Sequence, residues 1–388
     1  MIVISDKSKC CGCEACIDKC PKKCIKIYED CEGFLYPETD CSICIDCGIC
    51  EKTCPVINQH YERIPLNVYA VKNKNDEIRK NSSSGGIFTT LGETVIDNGG
   101  VVFGAKYNDI WEVVHDYTET KEGLRQFRGS KYVQSKINGS FSYAERFLND
   151  GREVLFSGAP CQIAGLKLFL KKDYDNLITV DFVCHGVPSP MVFKLYIKEL
   201  NESKNGKIVE INMRDKIYGW RKYSFSIIRM MNGGLIKTSD VLNENIYRKG
   251  FLYDIYLRPS CHDCPAKNFK SGSDITIGDY WGVEKIHPEF NDDNGVSLVC
   301  IHNEKIILSN DNCFFVKSDI HQAIKYNKYI SISAKKSPYR ERFFKKINNT
   351  PIIELINKYS RNGMFKAVYL YSRRSICAVL STIRKKMI

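Results

Sequence analysis

The sequence of 388 residues has no long apolar run. No stretch approaches the roughly 18 apolar residues of a transmembrane helix, because the longest apolar runs are broken by Gly, Lys or Asp. The opening residues, MIVISDKSKC, also lack the apolar core and the small-residue cleavage site of a secretory signal peptide. We therefore expect neither a membrane-spanning nor a secreted protein.

The sequence also lacks a recognisable nucleic-acid-binding motif, although its formal net charge is +12. Much of the positive excess lies near the C-terminus, in ISAKKSPYRERFFKKINN and YSRRSICAVLSTIRKKMI. This distribution predicts a helical basic tail, residues 319–388, that docks on a membrane surface or on a protein. A solvated basic face is the alternative. No nucleic-acid partner is predicted.

Cysteine, in contrast, is abundant: the chain has 19 cysteines, and twelve of them precede residue 55. Without a signal peptide, this content favours metal binding in a reducing compartment, taken to be the cytoplasm, over a disulfide framework. The segments CCGCEACIDKCP and CSICIDCGICEKTCP both have the spacing C-x2-C-x2-C-x3-C-P. This spacing is the signature of bacterial ferredoxins, in which the fourth cysteine of each run ligates the cluster of the other run.

Residues 1–60 are therefore predicted to form a module with two 4Fe-4S clusters. Zinc is the alternative, but zinc sites favour two separated C-x2-C pairs over an uninterrupted triple. Between the runs, CIKIYEDCEGFLYPETD predicts two short strands around a turn. Four cysteines fall outside the ligand spacing and are predicted to be free thiols: Cys11, Cys24, Cys31 and Cys41. The two predicted ligand sets are Cys10, Cys13, Cys16 and Cys54, and Cys20, Cys44, Cys47 and Cys50.

The middle of the chain alternates between strand and helix patterns. NVYAVKN predicts a strand, and NSSSGGIFTTLGETVIDNGG predicts a helix whose N-terminus is capped by Ser82 to Ser84. Gly85 and Gly86 would let a phosphate approach this helix end, and an ordinary capped helix is the alternative. EVLFSGAPCQIAGLKLFL and NLITVDFVCHGVPSPMVFKLYIKEL each predict a strand, a tight turn and a helix. The alternation predicts an α/β (α+β) domain with parallel strand pairing.

Cys161 and Cys184 follow these two predicted strands, at the sheet edge where ligands gather in α/β proteins. The segment RPSCHDCP adds Cys261 and Cys264. Together they can form one four-thiolate site. Small buried thiols, a zinc site and a redox-active pair are the alternatives, and the neighbouring ferredoxin-type module favours a third 4Fe-4S cluster.

At this point the chain resembles a known family, the beta subunits of coenzyme F420 hydrogenases and dehydrogenases, from about residue 67 to about residue 303. The motifs that carry the resemblance are SSSGGIFTTL, RGSKYVQS, FSGAPCQIAGL, VCHGVPSP, RPSCHDCP and DITIGDYWG. The resemblance implies a flavin and iron-sulfur domain, made of residues 67–148 and 149–318, that binds FAD beside a 4Fe-4S cluster.

Carried over to this chain, the resemblance implies that Cys161, Cys184, Cys261 and Cys264 ligate the cluster on the flavin side. It implies that Lys131 acts in catalysis and contacts the cofactor. His185 and His262, which each follow a proposed ligand, are expected to face solvent; the alternative is that either donates a hydrogen bond to a cluster sulfur and tunes its potential. The other implied flavin contacts are Ser83, Ser84, Gly85, Gly86, Gly129, Ser157, Gly158, Pro160 and Asp279. For Asp279, a purely structural turn is the alternative.

The expected function is that of an iron-sulfur flavoprotein oxidoreductase. A hydride carries two electrons and a 4Fe-4S cluster accepts one, so FAD would stand between them. Its partner would be a redox protein or a small electron carrier such as a deazaflavin. The alternative is a non-catalytic electron-transfer subunit of a partner enzyme, such as a hydrogenase, a dehydrogenase or a polysaccharide-biosynthesis reductase.

Overall fold

The computed structural model describes residues 1–203, 206–241 and 244–360. Its fold is a mixed α/β arrangement, as the sequence predicts. The strands are β1 Ile25–Glu29, β2 Leu35–Thr39, β3 Asn67–Asn73, β4 Val101–Tyr107, β5 Val113–Thr118, β6 Val154–Gly158, β7 Leu177–Phe182, β8 Lys207–Asp215, β9 Ser224–Met231, β10 Gly234–Val241, β11 Ile275–Asp279, β12 Ser297–Ile301 and β13 Cys313–Lys317.

The helices alternate with these strands through the middle of the chain. Short 3-10 turns occupy Lys7–Lys9, Pro259–Asp263, Pro288–Phe290 and Lys328–Ile330, and residues 352–360 are also helical. The α-helices are α1 Ala15–Asp18, α2 Ile49–Lys52, α3 Asp76–Lys80, α4 Ile87–Asp97, α5 Leu124–Phe127, α6 Ser140–Asn149, α7 Pro160–Leu170, α8 Pro190–Ser203, α9 Ile246–Leu252, α10 Val283–Ile286, α11 Ile320–Tyr326 and α12 Arg340–Phe344.

One eight-stranded sheet organises the large domain, with strand order β13-β3-β12-β11-β7-β6-β4-β5. Strands β4, β6, β7 and β11 pair in parallel, and the outer pairs are antiparallel. The carboxyl ends of β6, β7 and β11 therefore lie side by side at one edge of the sheet. Because both halves of the predicted domain contribute strands, residues 67–148 and 149–318 share a single sheet.

Alternating side chains on the central strands explain why helices cover both faces of this sheet. On β6, Phe156 packs with α6 and α7, whereas Leu155 points to the opposite face and packs with α4 and α5. On β4, Phe103 and Val102 divide in the same way. The central parallel strands are thus buried on both sides, and their carboxyl-end loops remain available to form a site.

A second, three-stranded antiparallel sheet, β10-β9-β8, shares a core with α8, α9 and the C-terminal helices. Phe343, Leu355 and Ile356 are fully buried in this core. The part of the predicted basic tail up to residue 360 therefore packs against the large domain. The basic segment YSRRSICAVLSTIRKKMI, residues 371–388, lies outside the described residues. Within the described residues, no helix has the length and apolar character needed to cross a membrane.

The N-terminal module, residues 1–60, contains the predicted hairpin of β1 and β2 and docks against α6 and α7. The buried carboxylate of Glu14 accepts hydrogen bonds from the backbone N–H groups of Ile137 (3.0 Å) and Asn138 (3.2 Å). Helix α7 has a glycine at the contact, since a Cβ on Gly165 would lie 2.9 Å from the Cys13 sulfur. The module is therefore fitted closely to the large domain.

A buried ion pair also joins the N-terminal module to the C-terminal helices. The Arg340 guanidinium donates to both carboxylate oxygens of Glu32, at 2.7 Å for the Nη1–Oε1 contact, and its Nε donates to the Leu257 carbonyl at 3.2 Å. The two side chains are 6% and 16% exposed. Loss of one partner would leave the other charge buried and unpaired.

We therefore predict that Arg340→Gln lowers the free energy of unfolding by about 3 kcal/mol or more. Lys336→Gln is the matched control, because it removes an exposed ion pair with Glu341, at 60% and 70% exposure; this change should cost about 1 kcal/mol or less. Chemical denaturation of both variants measures the difference. Equal losses in the two variants would contradict the role of the Arg340–Glu32 pair.

Candidate redox site

The four cysteines predicted for a third cluster line one cavity. This strand-end cavity, of about 40 Å³, is lined by Cys161, Cys184, Cys261 and Cys264 among other residues. Cys161 lies in the first turn of α7, directly after β6, and Cys184 follows β7. Adjacent parallel strands place their carboxyl-end loops next to each other, which brings together two residues 23 positions apart.

The remaining two thiols reach the strand-end cavity on the 3-10 turn Pro259–Asp263 and the residue after it. The Val187 N–H donates to the Cys261 sulfur at 3.4 Å, and Lys267 Nζ donates to the Cys184 carbonyl at 2.6 Å. Burial raises the pKa of Cys184 to about 11 and that of Cys261 to about 12. Metal binding at these thiols would therefore displace protons and weaken as pH falls.

The two ferredoxin-type cysteine runs line two further cavities. The inner ferredoxin cavity, of about 30 Å³, is lined by Cys10, Cys13, Cys16 and Cys54, and the outer ferredoxin cavity, of about 20 Å³, by Cys20, Cys44, Cys47 and Cys50. Each cavity combines three cysteines of one run with the last cysteine of the other. This exchange is the arrangement that the C-x2-C-x2-C-x3-C-P spacing predicts.

The thiols surround cavities and do not converge on one point. Among the residues that the structure describes, no three or more His, Cys, Asp or Glu side chains are grouped closely enough to bind a single metal ion. A zinc site would hold its sulfurs about 2.3 Å from one ion, whereas a four-iron cluster takes one thiolate at each iron. Each cavity is lined by four thiols of one predicted set, which is the number of thiolates that a four-iron cluster takes.

Two cysteines outside the ligand spacing also line these cavities. Cys11 lines both the strand-end cavity and the inner ferredoxin cavity, and it interacts with Cys13 and Cys161. Cys24 lines the outer ferredoxin cavity, with its sulfur 3.4 Å from that of Cys20. Sequence spacing gave no signal for either position, because their proximity to the other thiols arises only from the folded chain.

The two histidines next to proposed ligands do not face solvent, contrary to expectation. His185 bonds through Nε2 to Asp254 at 2.5 Å, is 15% exposed and lines the strand-end cavity. His262 is half-buried, and its Nδ1 lies 3.1 Å from the Ala334 carbonyl oxygen. Each ring is held by an acceptor on a neighbouring segment, which the local sequence could not reveal.

The serines before α4 do not cap it, contrary to the sequence-based interpretation. The N-cap is Gly86, with φ of 88°, while Ser83 and Ser84 use their hydroxyls elsewhere. Ser83 Oγ lies 2.9 Å from Ser130 Oγ, and Ser84 Oγ donates to the Val296 carbonyl at 2.7 Å. A Cβ on Gly85 would lie 2.2 Å from the Val71 carbonyl oxygen, so the glycine here permits close packing against the sheet.

Gly129, Ser130 and Lys131 form a turn that contacts Ser83 through the Ser130 hydroxyl. Lys131 is half-buried, and its Nζ donates to the carbonyls of Arg128 at 3.0 Å and Gly129 at 3.2 Å. Desolvation lowers the pKa of Lys131 to about 7. A Cβ on Gly129, whose φ is 79°, would meet no atom within 4 Å. The turn thus has open space on one side and a lysine whose charge is poorly solvated.

The turn after β6 lies beside His115. Ser157 Oγ donates to the Phe103 carbonyl at 2.9 Å, and Pro160 begins α7 and lines the strand-end cavity. Gly158 lies close enough that an added Cβ would be 3.5 Å from His115 Nε2. Burial lowers the pKa of His115 to about 4, and its Nδ1 has no hydrogen-bond partner.

Arg214 on β8 connects two of the predicted flavin contacts, and sequence reasoning missed it. It binds both carboxylate oxygens of Asp279, at 2.7 Å and 2.9 Å, and donates to the Ser83 carbonyl at 3.0 Å. Asp279 also accepts from Trp220 Nε1 at 2.9 Å. Asp279 is therefore occupied as a partner of Arg214. The only possible sequence signal was an arginine at the end of a strand, which carries little information.

Several buried polar atoms of Arg214, Arg248 and Tyr107 have no hydrogen-bond partner among the described residues. Buried Arg214 Nε, Arg248 Nε and Arg248 Nη1 have no hydrogen-bond partner, and neither does the buried Tyr107 hydroxyl. The two guanidinium groups lie over the Tyr223 ring at 3.7 Å and 4.0 Å, and Lys131 Nζ lies 5.9 Å from the Tyr107 ring centre. Buried donors without partners are costly, and a bound polar group would satisfy them.

The fold and the thiol-lined cavities define a mixed α/β protein with a cysteine-rich N-terminal module fused to it. The chain belongs to the family of coenzyme F420 hydrogenase/dehydrogenase beta subunits. The model of the family's N-terminal part matches residues 68–141, and the model of its C-terminal part matches residues 151–308. Membership of this family supports an electron-transfer redox role.

Two known proteins show the extent of the similarity. One subunit of the F(420)H(2) dehydrogenase of Methanosarcina mazei is 23% identical over 180 residues, which is 44% of this chain and 51% of that protein. The chain thus spans about half the length of this curated relative. A chain of the F420-reducing [NiFe] hydrogenase complex from Methanosarcina barkeri aligns with a TM-score of 0.45 and 17% identity, over 71% of this chain and 97% of that chain.

The lowered pKa of Lys131 predicts a pH-dependent stability of the cofactor-free chain. A folded pKa of about 7 lies below the ordinary lysine value of 10.5, so the unfolded chain binds the proton more tightly and burial of Lys131 destabilises the fold most below pH 7. Lys131→Met should therefore raise the free energy of unfolding more at pH 6 than at pH 9. Denaturant titrations at both pH values measure this difference.

Lys80→Met, at an exposed lysine on α3, is the control for this experiment. It should change stability by less than about 0.5 kcal/mol at both pH values. An equal effect of Lys131→Met at pH 6 and pH 9 would contradict the desolvation of Lys131.

Proposed function

We propose that this protein is an iron-sulfur flavoprotein oxidoreductase. It passes electrons between a two-electron carrier or small substrate and 4Fe-4S clusters, by way of FAD. The observation that carries the proposal is the match between three predicted ligand sets and three cavities. Each cavity is lined by its full set of four cysteines, although sequence separations within a set reach 103 residues between Cys161 and Cys264.

The residues at all three cavities fit 4Fe-4S clusters. Thiolates are the protein ligands of such clusters, and hydrogen bonds to the sulfurs tune their potentials. Cys261 already accepts a backbone N–H from Val187 at 3.4 Å, and Cys10 accepts from Arg258 Nη2 at 3.5 Å. Hydrophobic residues such as Phe269 and Ile330 line the strand-end cavity and would keep water from the metal.

Cys11 supports the idea that the strand-end cavity and the inner ferredoxin cavity act together. Because Cys11 lines both cavities, only a short stretch of protein separates them. Cys50 and Cys54 belong to the same run but line different ferredoxin cavities, so that run connects the inner cavity with the outer one. The three cavities thus form a series from the large sheet to the N-terminal module.

FAD is proposed to bind near Lys131 and the Ser83–Ser130 contact. When bound, FAD supplies the exchange between two-electron and one-electron chemistry. Lys131 would place positive charge close to the reduced ring system or the phosphates. His115 Nε2 donates to the Ser157 carbonyl, so its unpartnered Nδ1 could accept a hydrogen bond there. The unpartnered N–H groups of Arg214 and Arg248 are further candidates for binding an anionic part of the cofactor.

The outer ferredoxin cavity is the proposed exit toward a one-electron partner. Cys47 is exposed, and the neighbouring Ile43 and Ile45 are 49% and 57% exposed. The N-terminal module therefore presents a cavity-lining thiol and apolar side chains at its surface. A small carrier such as deazaflavin F420 would exchange electrons at the flavin, and a redox protein at this surface.

A non-catalytic electron-transfer subunit is the second candidate. The curated relative is named as a subunit of a dehydrogenase, which favours a chain that relays electrons for a partner enzyme. The basic C-terminal tail remains a proposed docking element for such a partner or for a membrane surface. Turnover of reduced deazaflavin or NAD(P)H by the isolated chain supports the enzyme; turnover only with a partner supports the relay role. The cysteine content suits a cytoplasmic location in either case.

Metal analysis after anaerobic purification tests the cluster proposal. The wild-type chain should contain about twelve irons, from three four-iron clusters, and no stoichiometric zinc. Cys264→Ser should lower the content to about eight irons, because it removes one ligand of the strand-end cavity. Cys300→Ser is the control, since Cys300 is a buried cysteine on β12; it should leave iron unchanged. Stoichiometric zinc in the wild type would contradict the proposal.

Flavin analysis tests the FAD site separately. Lys131→Ala should lower the ratio of FAD to protein at least tenfold at fixed flavin concentration, which corresponds to about 1.4 kcal/mol of binding energy. Iron content should stay at the wild-type level. Lys80→Ala, at an exposed lysine, is the matched control. A Lys131→Ala variant that retains FAD and reduces it at the wild-type rate would remove Lys131 from the site.

A further inference from the structure

Arg258 is a buried arginine at the junction of the N-terminal module and the large domain. Its side chain is 0% exposed. Nε donates to the Cys10 carbonyl at 2.8 Å, Nη1 to Gln134 Oε1 at 2.9 Å and Nη2 to the Leu35 carbonyl at 2.9 Å. It precedes the turn that carries Cys261 and Cys264. One side chain therefore links the strand-end cavity with the inner ferredoxin cavity.

The hydrogen-bond acceptors of Arg258 leave its positive charge uncompensated. Two other buried arginines pair with carboxylates, Arg214 with Asp279 and Arg340 with Glu32. Across residues 1–203, 206–241 and 244–360, no carboxylate oxygen lies within ion-pair distance of Arg258. Its neighbours are two carbonyls, a neutral amide and the Tyr36 ring, whose centre is 4.4 Å away. A buried cation of this kind requires a nearby negative group.

The cavity thiols are the negative groups available to Arg258. Nη2 lies 3.5 Å from the Cys10 sulfur, in the geometry of an N–H···S hydrogen bond. The guanidinium also packs under the turn that contains Cys11, since a Cβ on Gly12 would lie 2.7 Å from Nη1. Cys11 itself lines both cavities. Arg258 is thus closest to the inner ferredoxin cavity, while its own loop forms the strand-end cavity.

We propose that Arg258 is the buried counter-charge of the inner ferredoxin cavity and raises the reduction potential of the cluster held there. This inference rests on the proposed function. Addition of one electron at this site adds one negative charge, and no bond is made or broken. Arg258 stabilises that added charge through its N–H···S contact and its unscreened positive charge. Its charge would thereby favour electron transfer from a cluster in the strand-end cavity to the cluster in the inner ferredoxin cavity.

An EPR-monitored redox titration of the full-length, anaerobically purified chain tests this inference. In Arg258→Gln, one cluster midpoint should fall by about 59 mV, which corresponds to a tenfold change in the ratio of reduced to oxidised cluster for a one-electron couple. The other midpoints should move less. Arg258→Lys retains the positive charge and should keep most of the wild-type potential.

Two outcomes of the redox titration would overturn the proposal. One is an unchanged set of midpoints in Arg258→Gln, and the other is an equal shift in Arg258→Lys, because the charge would then not be responsible. Loss of about four irons from both variants would also overturn it, since Arg258 would then be needed for assembly. The matched control is Glu32→Gln with Arg340→Gln, which removes a charge-balanced pair at the same junction and should leave all midpoints unchanged. Absence of iron in the wild type would instead reject the proposed function.

Discussion

The docking of the Cys10–Cys13 turn onto the large domain is the contact on which the rest of the arrangement depends. This turn is held by buried polar groups from both sides: Glu14 accepts two backbone N–H groups of the large domain, and Arg258 donates into the module. Gly165 leaves the space that the Cys13 sulfur needs. Without this fit, the inner ferredoxin cavity and the strand-end cavity would not share Cys11 as a common wall.

Three buried arginines at the centre of the chain have their positive charges offset in two different ways. Buried ions are costly unless each has a partner. Arg214 and Arg340 have carboxylates, whereas Arg258 faces the Cys10 thiol, which would become negative on binding iron. The large sheet contributes by a different route: parallel pairing of β6 with β7 aligns the loops that carry Cys161 and Cys184. Strand pairing therefore forms part of the strand-end cavity, and docking of the N-terminal module places the inner ferredoxin cavity next to it.

Much of the fold could be predicted, because strand and helix patterns are local. The hairpin of β1 and β2, the strands β3, β6 and β7, and the helices α4 and α7 follow from hydrophobic periodicity and turn residues. The predicted N-cap of α4 was wrong, because the Ser83 and Ser84 hydroxyls bond to Ser130 and Val296, which lie on distant segments. The histidines beside the proposed ligands were misjudged for the same reason: Asp254 and Ala334 hold them from other parts of the chain.

The sequence alone determined the chemistry that is available, because the C-x2-C-x2-C-x3-C-P runs and the C-x2-C pair place thiols at the spacing that is typical of metal ligands. It also determined the α/β class and the family, whose motifs are short and continuous. The tertiary structure alone decided which sulfurs share a cavity with Cys11, which arginines have carboxylate partners, and where Arg258 lies. These features depend on contacts between segments up to 308 residues apart. Burial, which sets the energy of each charge, exists only once those segments have packed together.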